Sequence, residues 1–347
     1  MRGDVLVRRE GLAGRVTLNR PAALNALTHA MCLEIEDALD GWAGDDGVAL
    51  VLIEGAGERA FCAGGDILEM HAAGTRGDWD YGRRFWRDEY RLNAKLFRFP
   101  KPVVTFLHGF TMGGGVGVGC HASHRVVRDD SRIAMPECGI GLVPDVGGSL
   151  WLARAPGRLG EFLGTTGHRM GPGDAILAGF ADLYVPDGWD DLAARLCETG
   201  DAGLVDAAGR APPPSDLSAW QAEIDRLFAG DTLADIARGL AGETGPAAEA
   251  ARAAFARNAP LSMACAVEIL HRLGDDPTIA RALGQEYRFT HRALEHSDFV
   301  EGIRAQMVDR DRAPRWRHGG PLDVRPLDVS RMLAPLGADA LNLEETP

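Results

Sequence analysis

The apolar run Pro102–Leu107 (PVVTFL) leads directly into His108–Gly119 (HGFTMGGGVGVG), where six of twelve residues are glycine. A strand with no polar alternation is buried on both faces, as in a parallel sheet. The Gly113-Gly114-Gly115 run then opens an apolar helix without side chains at its start. Val48–Ile53 (VALVLI) is a second apolar run of the same kind. Between the two runs lie a glycine-rich loop at 62–65 and a helix over about 79–98, with Phe85, Leu92 and Leu96 on one side. Strand, helix, strand and glycine-rich helix start together predict an α/β fold.

The flanking segments fit this pattern. Val5–Val7 and Val16–Leu18 read as paired strands about a glycine-containing turn. Thr28 is placed to cap a helix whose apolar residues Met31, Ile35, Leu39 and Trp42 fall at helical spacing, and Asp45-Asp46-Gly47 ends it in a turn. Pro212-Pro213-Pro214 can neither continue a helix nor join a sheet interior, so a boundary is expected within 207–216. This predicts a core domain over 1–206, a helical domain over 217–320 and a loosely structured tail over 321–347. The length of 347 residues accommodates one large domain and a smaller one.

With 37 basic against 50 acidic residues, the net charge of −13 repels nucleic acid and anionic membrane. No run approaches the roughly 18 apolar residues of a membrane span. Charges at Arg2, Asp4, Arg8, Arg9 and Glu10 leave no room for a signal-peptide apolar stretch. Six cysteines without a CxxC pair read as reduced thiols, and a cytoplasmic protein is expected.

Three motifs carry the chemistry. In Phe61–Ile67 (FCAGGDI), two glycines between a strand and a helix leave backbone N–H groups able to bind an anion or a developing oxyanion; the alternative is a tight turn capped by Asp66. The Gly113–Gly115 turn offers a second such set of amides, or simply close packing through small residues. Two such turns can form a two-donor cradle for a carbonyl oxygen that gains charge. In Ala134–Ser149 (AMPECGIGLVPDVGGS), Glu137 and Asp145 stand among apolar neighbours, where a carboxylate is costly unless partnered or used. Glu137 after Pro136 is also suited to the first turn of a helix.

Other chemistries lack support. A dinucleotide GxGxxG fails because position 120 is Cys. No GxSxG elbow occurs, and the spacing of Cys120, His121 and His124 matches no zinc pattern. Cys62 is a candidate thiol nucleophile without an obvious base, and reads better as a small buried residue.

These motifs in this order, with Asn19–Leu27 (NRPAALNAL) upstream, resemble the crotonase, or enoyl-CoA hydratase/isomerase, superfamily over roughly residues 5–190. Within it, FCAGGDI, HGFTMGGGVG, AMPE and GLVPDVGGS look most like the 3-hydroxyisobutyryl-CoA hydrolases. So do RDEYRLN (Arg87–Asn93), NAPLS (Asn258–Ser262) and Asp298–Trp316 (DFVEGIRAQMVDRDRAPRW). The resemblance implies an α/β spiral of repeated ββα units with a helical C-terminal part. It implies oxyanion donors at the N–H groups of Gly65 and Gly114, and catalytic carboxylates at Glu137 and Asp145. Glu89 would line the acyl pocket, while Asn25, Ala26, Leu27 and Ala63 would face coenzyme A.

Hydratases of this superfamily carry a second glutamate two residues after the GGG, and here that position is Gly117. The expected activity is therefore hydrolysis of a short 3-hydroxyacyl-CoA. No metal or further cofactor is expected, CoA being part of the substrate. The alternatives are an enoyl-CoA hydratase or isomerase, and a non-catalytic acyl-CoA-binding protein. A homo-oligomer through the C-terminal helices is also expected.

Overall fold

The computed structural model describes residues 3–343. In chain order to residue 184, the elements used below are strands β1 (Val5–Glu10) and β2 (Ala13–Leu18), helix α1 (His29–Ala43), strands β3 (Leu50–Gly55) and β4 (Ala60–Cys62), helices α2 (Leu68–Arg76) and α3 (Trp79–Phe97), strands β5 (Val103–Phe106) and β6 (Phe110–Met112), helix α4 (Gly114–Gly119), strands β7 (His124–Val127) and β8 (Arg132–Ala134), helices α5 (Gly148–Arg154) and α6 (Leu159–Thr166), and strand β9 (Leu183–Tyr184). Helices dominate the chain beyond β9.

The strands alternate between two sheets. A six-stranded sheet has the order β1-β2-β3-β5-β7-β9, and a three-stranded sheet the order β4-β6-β8. Among the described strands, β1 and β2 pair antiparallel and the other pairs are parallel. Thus β3-β4, β5-β6 and β7-β8 each place one strand in each sheet before the chain turns into a helical segment, which is the repeated ββα grammar of an α/β fold. The apolar runs are buried as their composition requires: Leu50, Val51, Leu52, Ile53 and Val104 are inaccessible to solvent. Leu50, Leu52, Val104 and Phe106 pack with Leu192, Leu196 and Val205 from the helices that follow β9.

Local signals act where the sequence puts them. Thr28 caps α1 by accepting the Met31 N–H at 3.2 Å, and Met31, Ile35, Leu39 and Trp42 form its buried stripe. Such a cap contributes about 1 kcal/mol. The first hairpin is tighter than its apolar runs suggest, since Arg8-Arg9-Glu10 extends β1 and only Gly11-Leu12 remains to turn.

Two compact units emerge, each discontinuous in sequence. One comprises residues 3–65, 88–134 and 169–216; the other comprises 66–87, 135–168 and 217–343. The polyproline segment ends where the chain leaves the first unit at Asp216, and α3 is divided between Arg87 and Asp88. The region from 321, expected as a loose tail, is ordered through 343. It forms a helix over Pro326–Met332, buries Met332 and Leu333, and gives backbone carbonyls of Met332 and Ala334 to Arg292. Pro321 and Pro326 each start a short helix rather than preventing one. Residues 344–347 of that expected tail lie outside the described residues.

Candidate functional site

In the first unit, three sequence-predicted positions converge. The loop after β4 is drawn against residues 24–27: Ala63 N–H donates to the Leu24 carbonyl at 3.0 Å, and Leu27 N–H to the Gly64 carbonyl at 2.9 Å. Leu27 and Gly65 form a parallel bridge, keeping the backbone extended through Gly65. Helix α2 begins at Leu68, with Ile67 rather than Asp66 in the cap position.

Helix α4 starts beside this loop. Gly113 adopts φ 51°, ψ −121°, a conformation open to glycine. A Cβ on Gly115 would lie 2.2 Å from the Cys62 carbonyl oxygen, so only glycine allows the approach. A Cβ on Gly114 would lie 3.2 Å from the Gly65 nitrogen and 3.0 Å from Glu89 Oε1. The two amide-bearing turns are thus adjacent, and the Glu89 carboxylate borders them. As the first residue of α4, Gly114 has an N–H without an intrahelical acceptor.

Glu89 is only 3% exposed, and its negative charge helps burial to push up the thiols of Cys32 and Cys62, that of Cys62 to about 12. A thiol held so firmly protonated is a poor nucleophile. One helical turn beyond Glu89, Asn93 is fully buried, and neither polar atom of its amide has a hydrogen-bond partner. Buried amides normally find partners, so this one has unused capacity toward a ligand or water. The sequence reading did not single it out; its polar character on the buried face of α3 was the available signal.

The positions assigned to coenzyme A lie on the same loop pair. Asn25 adopts φ 56°, and its side chain is spent on structure: Oδ1 accepts from Arg20 N at 2.9 Å, while Nδ2 donates to the Ala56 and Ala60 carbonyls. Leu27 is also fully buried, whereas Ala26 and Ala63 retain partial exposure. Gly117 is buried within α4 and contributes backbone alone.

The second unit holds the other two carboxylates. Glu137 is 4% exposed and begins the single 3₁₀ turn Glu137–Ile140, after Pro136. Gly141 closes that turn at φ 79°. The late motifs brace it. Ala259 N–H donates to the Cys138 carbonyl at 2.8 Å, Asn258 Nδ2 donates to the Thr165 carbonyl at 2.8 Å, and Cys138 Sγ–H reaches the Gly164 carbonyl at 3.3 Å. At Gly141 a Cβ would come within 2.5 Å of the Asp298 backbone, and at Gly302 within 2.1 Å of the Ile140 carbonyl oxygen. NAPLS and DFVEG therefore shape the turn that carries Glu137.

Asp145 is 4% exposed and opens a left-handed step, with Val146 at φ 53° and Gly147 at φ 78°. For a β-branched residue this conformation costs about 1–3 kcal/mol and persists only where the surroundings dictate it. The surroundings here are Glu286, fully buried on the helix Ile279–His296. Its carboxylate accepts from Gly147 N at 2.8 Å, Ser149 N at 3.0 Å and the Ser149 hydroxyl. Burial pushes the Glu286 carboxyl up to about 8, with Asp145 adding to the rise and these hydrogen bonds opposing it. Sequence reasoning missed Glu286, although an acid in step with Ile279, Leu283, Thr290 and Ala293 on the buried stripe was a usable signal.

Comparison with known proteins identifies the family and the fold. The family model described as enoyl-CoA hydratase/isomerase matches residues 13–333. The chain is 34% identical to the mitochondrial 3-hydroxyisobutyryl-CoA hydrolase of Gallus gallus, covering 98% of this chain and 91% of the relative. The rat protein of the same name is 35% identical, with 96% and 90% covered. Among solved structures, an enoyl-CoA hydratase from Rhodobacter sphaeroides is 57% identical at TM-score 0.95, covering 98% of this chain and 100% of that one. A carnitinyl-CoA dehydratase from Mycobacterium thermoresistibile is 43% identical at TM-score 0.93, with 99% and 100% covered.

Proposed function

Since the chain belongs to the enoyl-CoA hydratase/isomerase family and has the crotonase fold, we propose that it hydrolyses a short 3-hydroxyacyl-CoA thioester, with 3-hydroxyisobutyryl-CoA the leading substrate. The observation that carries this reading is the residue set: a pair of adjacent amide turns and buried Glu89, Glu137 and Asp145, but a glycine at 117. Hydration of a double bond calls for an acid and a base at the alkene; thioester hydrolysis calls for a polarised carbonyl and a route for water.

In this reading the thioester oxygen takes hydrogen bonds from the N–H groups of Gly65 and Gly114, which stabilise the charge that grows as the carbonyl carbon becomes tetrahedral. Glu137 acts in one of two ways. As nucleophile, its carboxylate bonds to the carbonyl carbon, the C–S bond breaks, CoA leaves as thiolate and takes up a proton, and water then opens the mixed anhydride. As general base, it takes a proton from water, whose oxygen forms the new C–O bond directly. Asp145 accepts a hydrogen bond from the substrate 3-hydroxyl. Single turnover in ¹⁸O-labelled water separates the routes, because only the anhydride can leave label in the Glu137 peptide.

A second reading, hydration or dehydration, is favoured by the names of the two solved structures described above. A panel assay decides between them. We expect free thiol from 3-hydroxyisobutyryl-CoA or 3-hydroxypropionyl-CoA, far less from isobutyryl-CoA, and little loss of crotonyl-CoA ultraviolet absorbance. A site that hydrogen-bonds a hydroxyl can discriminate by roughly 10⁴–10⁵. Rapid loss of the enoyl absorbance without thiol release would replace hydrolysis by hydration. The two relatives are named as mitochondrial; for this chain we propose a cytoplasmic location, with which its six free cysteines are compatible.

A further inference from the structure

We propose that Glu286 is a positioning residue for Asp145, holding the 145–149 turn in the left-handed form that sets the direction of the Asp145 carboxylate. The argument is geometric. Asp145 is followed by two consecutive residues at positive φ, one of them valine, and this turn has little intrinsic preference for that shape. Its own backbone supplies one closure, from Gly148 N–H to the Asp145 carbonyl at 2.7 Å. Three further donors of the turn, Gly147 N–H, Ser149 N–H and the Ser149 hydroxyl, converge on the two oxygens of Glu286.

A carboxyl group suits this task because each of its oxygens meets a donor of the turn, Oε2 the Gly147 N–H and Oε1 the Ser149 N–H and hydroxyl. Glutamine in its place has a single acceptor and would turn an NH₂ group toward one of the three donors. Glu286 is fully buried on the interior stripe of the helix Ile279–His296, a costly place for an acid unless its hydrogen bonds are satisfied. It is 139 residues from Gly147 in sequence, so the contact is a product of folding alone. Burial raises its carboxyl, and the nearby Asp145 charge contributes, which supports the proximity of the two acids.

The inference rests on the proposed role of Asp145 in recognising the 3-hydroxyl, and its test keeps the two apart. Glu286→Gln and Ser149→Ala are made in the full chain, the second removing only the hydroxyl donor. Amide hydrogen exchange is read in the 143–150 peptide. For Glu286→Gln we expect exchange at Gly147 and Ser149 to rise about tenfold or more while the rest of the protein is unchanged. Unchanged exchange overturns the proposal. Thiol release is then compared for the 3-hydroxyacyl and deoxy thioesters. The preference for the hydroxylated substrate is expected to fall by about tenfold, with kcat/KM for the deoxy compound little affected. A purely structural role would lower both substrates alike, and that result also overturns it. Ser149→Ala should move both readouts in the same direction by less, and it carries the test should Glu286→Gln not fold. If the unaltered enzyme shows no hydroxyl preference, the reading of Asp145 fails and with it this proposal, whatever the exchange data show.

Discussion

Gly114 stands where a single added methyl decides between an open amide pair and a filled one. Its backbone is helical, so alanine is conformationally acceptable and the N–H is kept, yet the new Cβ would sit 3.2 Å from the Gly65 nitrogen and 3.0 Å from Glu89 Oε1. Gly114→Ala is expected to lower kcat for thiol release by about 10²–10³, as much as losing an oxyanion donor, because the methyl fills the space in which a substrate oxygen would meet the retained N–H, while the melting temperature changes little. A folded variant with ordinary turnover would show that no substrate oxygen occupies that space. For Glu137, glutamine preserves the volume and removes the charge. Glu137→Gln should lower kcat by about 10²–10⁴, with calorimetric affinity for a CoA ester retained. Activity near the starting level would take Glu137 out of the reaction. At this scale the sequence was informative about identity and silent about engagement. Asn25 could be singled out by its string, but its three side-chain hydrogen bonds, which make it a pin for the loop, depend on chain segments up to 35 residues away.

Between elements, the contact of α6 with the helix Pro260–Leu273 contains a titratable link. His271 Nε2 lies 3.3 Å from Glu161 Oε1, and Arg158 donates to the same oxygen at 2.7 Å. The adjacent Glu161 carboxylate raises the His271 pKa above its ordinary value, although burial acts the other way. Burial alone would raise Glu161, but His271 and Arg158 hold its carboxyl below the ordinary value. A histidine raised on folding contributes stability that is complete below its unfolded pKa and is lost as pH rises through the folded one; the lowered Glu161 contributes above its unfolded pKa and loses that on acidification. The melting-temperature gap between the unaltered protein and His271→Gln should therefore be widest just below the ordinary histidine pKa of about 6.5 and shrink as pH rises above it through the raised folded value. A gap independent of pH over that range would mean that the pair is not an ion pair. Element positions were largely legible, because capping and periodicity are local: Thr28, the buried stripe of α1 and the apolar strands required no distant information. The braces were not. NAPLS and DFVEG could be recognised as strings, but their work on the Glu137 turn is a set of contacts between residues as far apart as Thr165 and Asn258, and no periodicity encodes such a pair.

For the molecule as a whole, the six cysteines provide a reading of integrity. Cys32, Cys62, Cys120, Cys138, Cys197 and Cys265 are all free and buried, and burial raises each thiol pKa. Ellman's reagent should titrate six thiols once the chain is unfolded in denaturant and few or none in the native protein over the same period, with no change on prior reduction. Prompt reaction in the native state would contradict the burial. By itself the sequence determined the α/β grammar, the positions of the main strands and helices and the glycine-rich turns, since all of these arise from side-chain period and turn chemistry within a few residues. Tertiary structure alone decided that segments 66–87, 135–168 and 217–343 close into one compact unit, that the region after 321 is ordered by its carbonyls on Arg292 and its buried Met332 and Leu333, and that Glu286 grips the turn after Asp145. The reason is physical: long-range burial and hydrogen bonding select partners by where the folded backbone brings them, and residues 139 positions apart in the chain exert no detectable constraint on each other until it has done so.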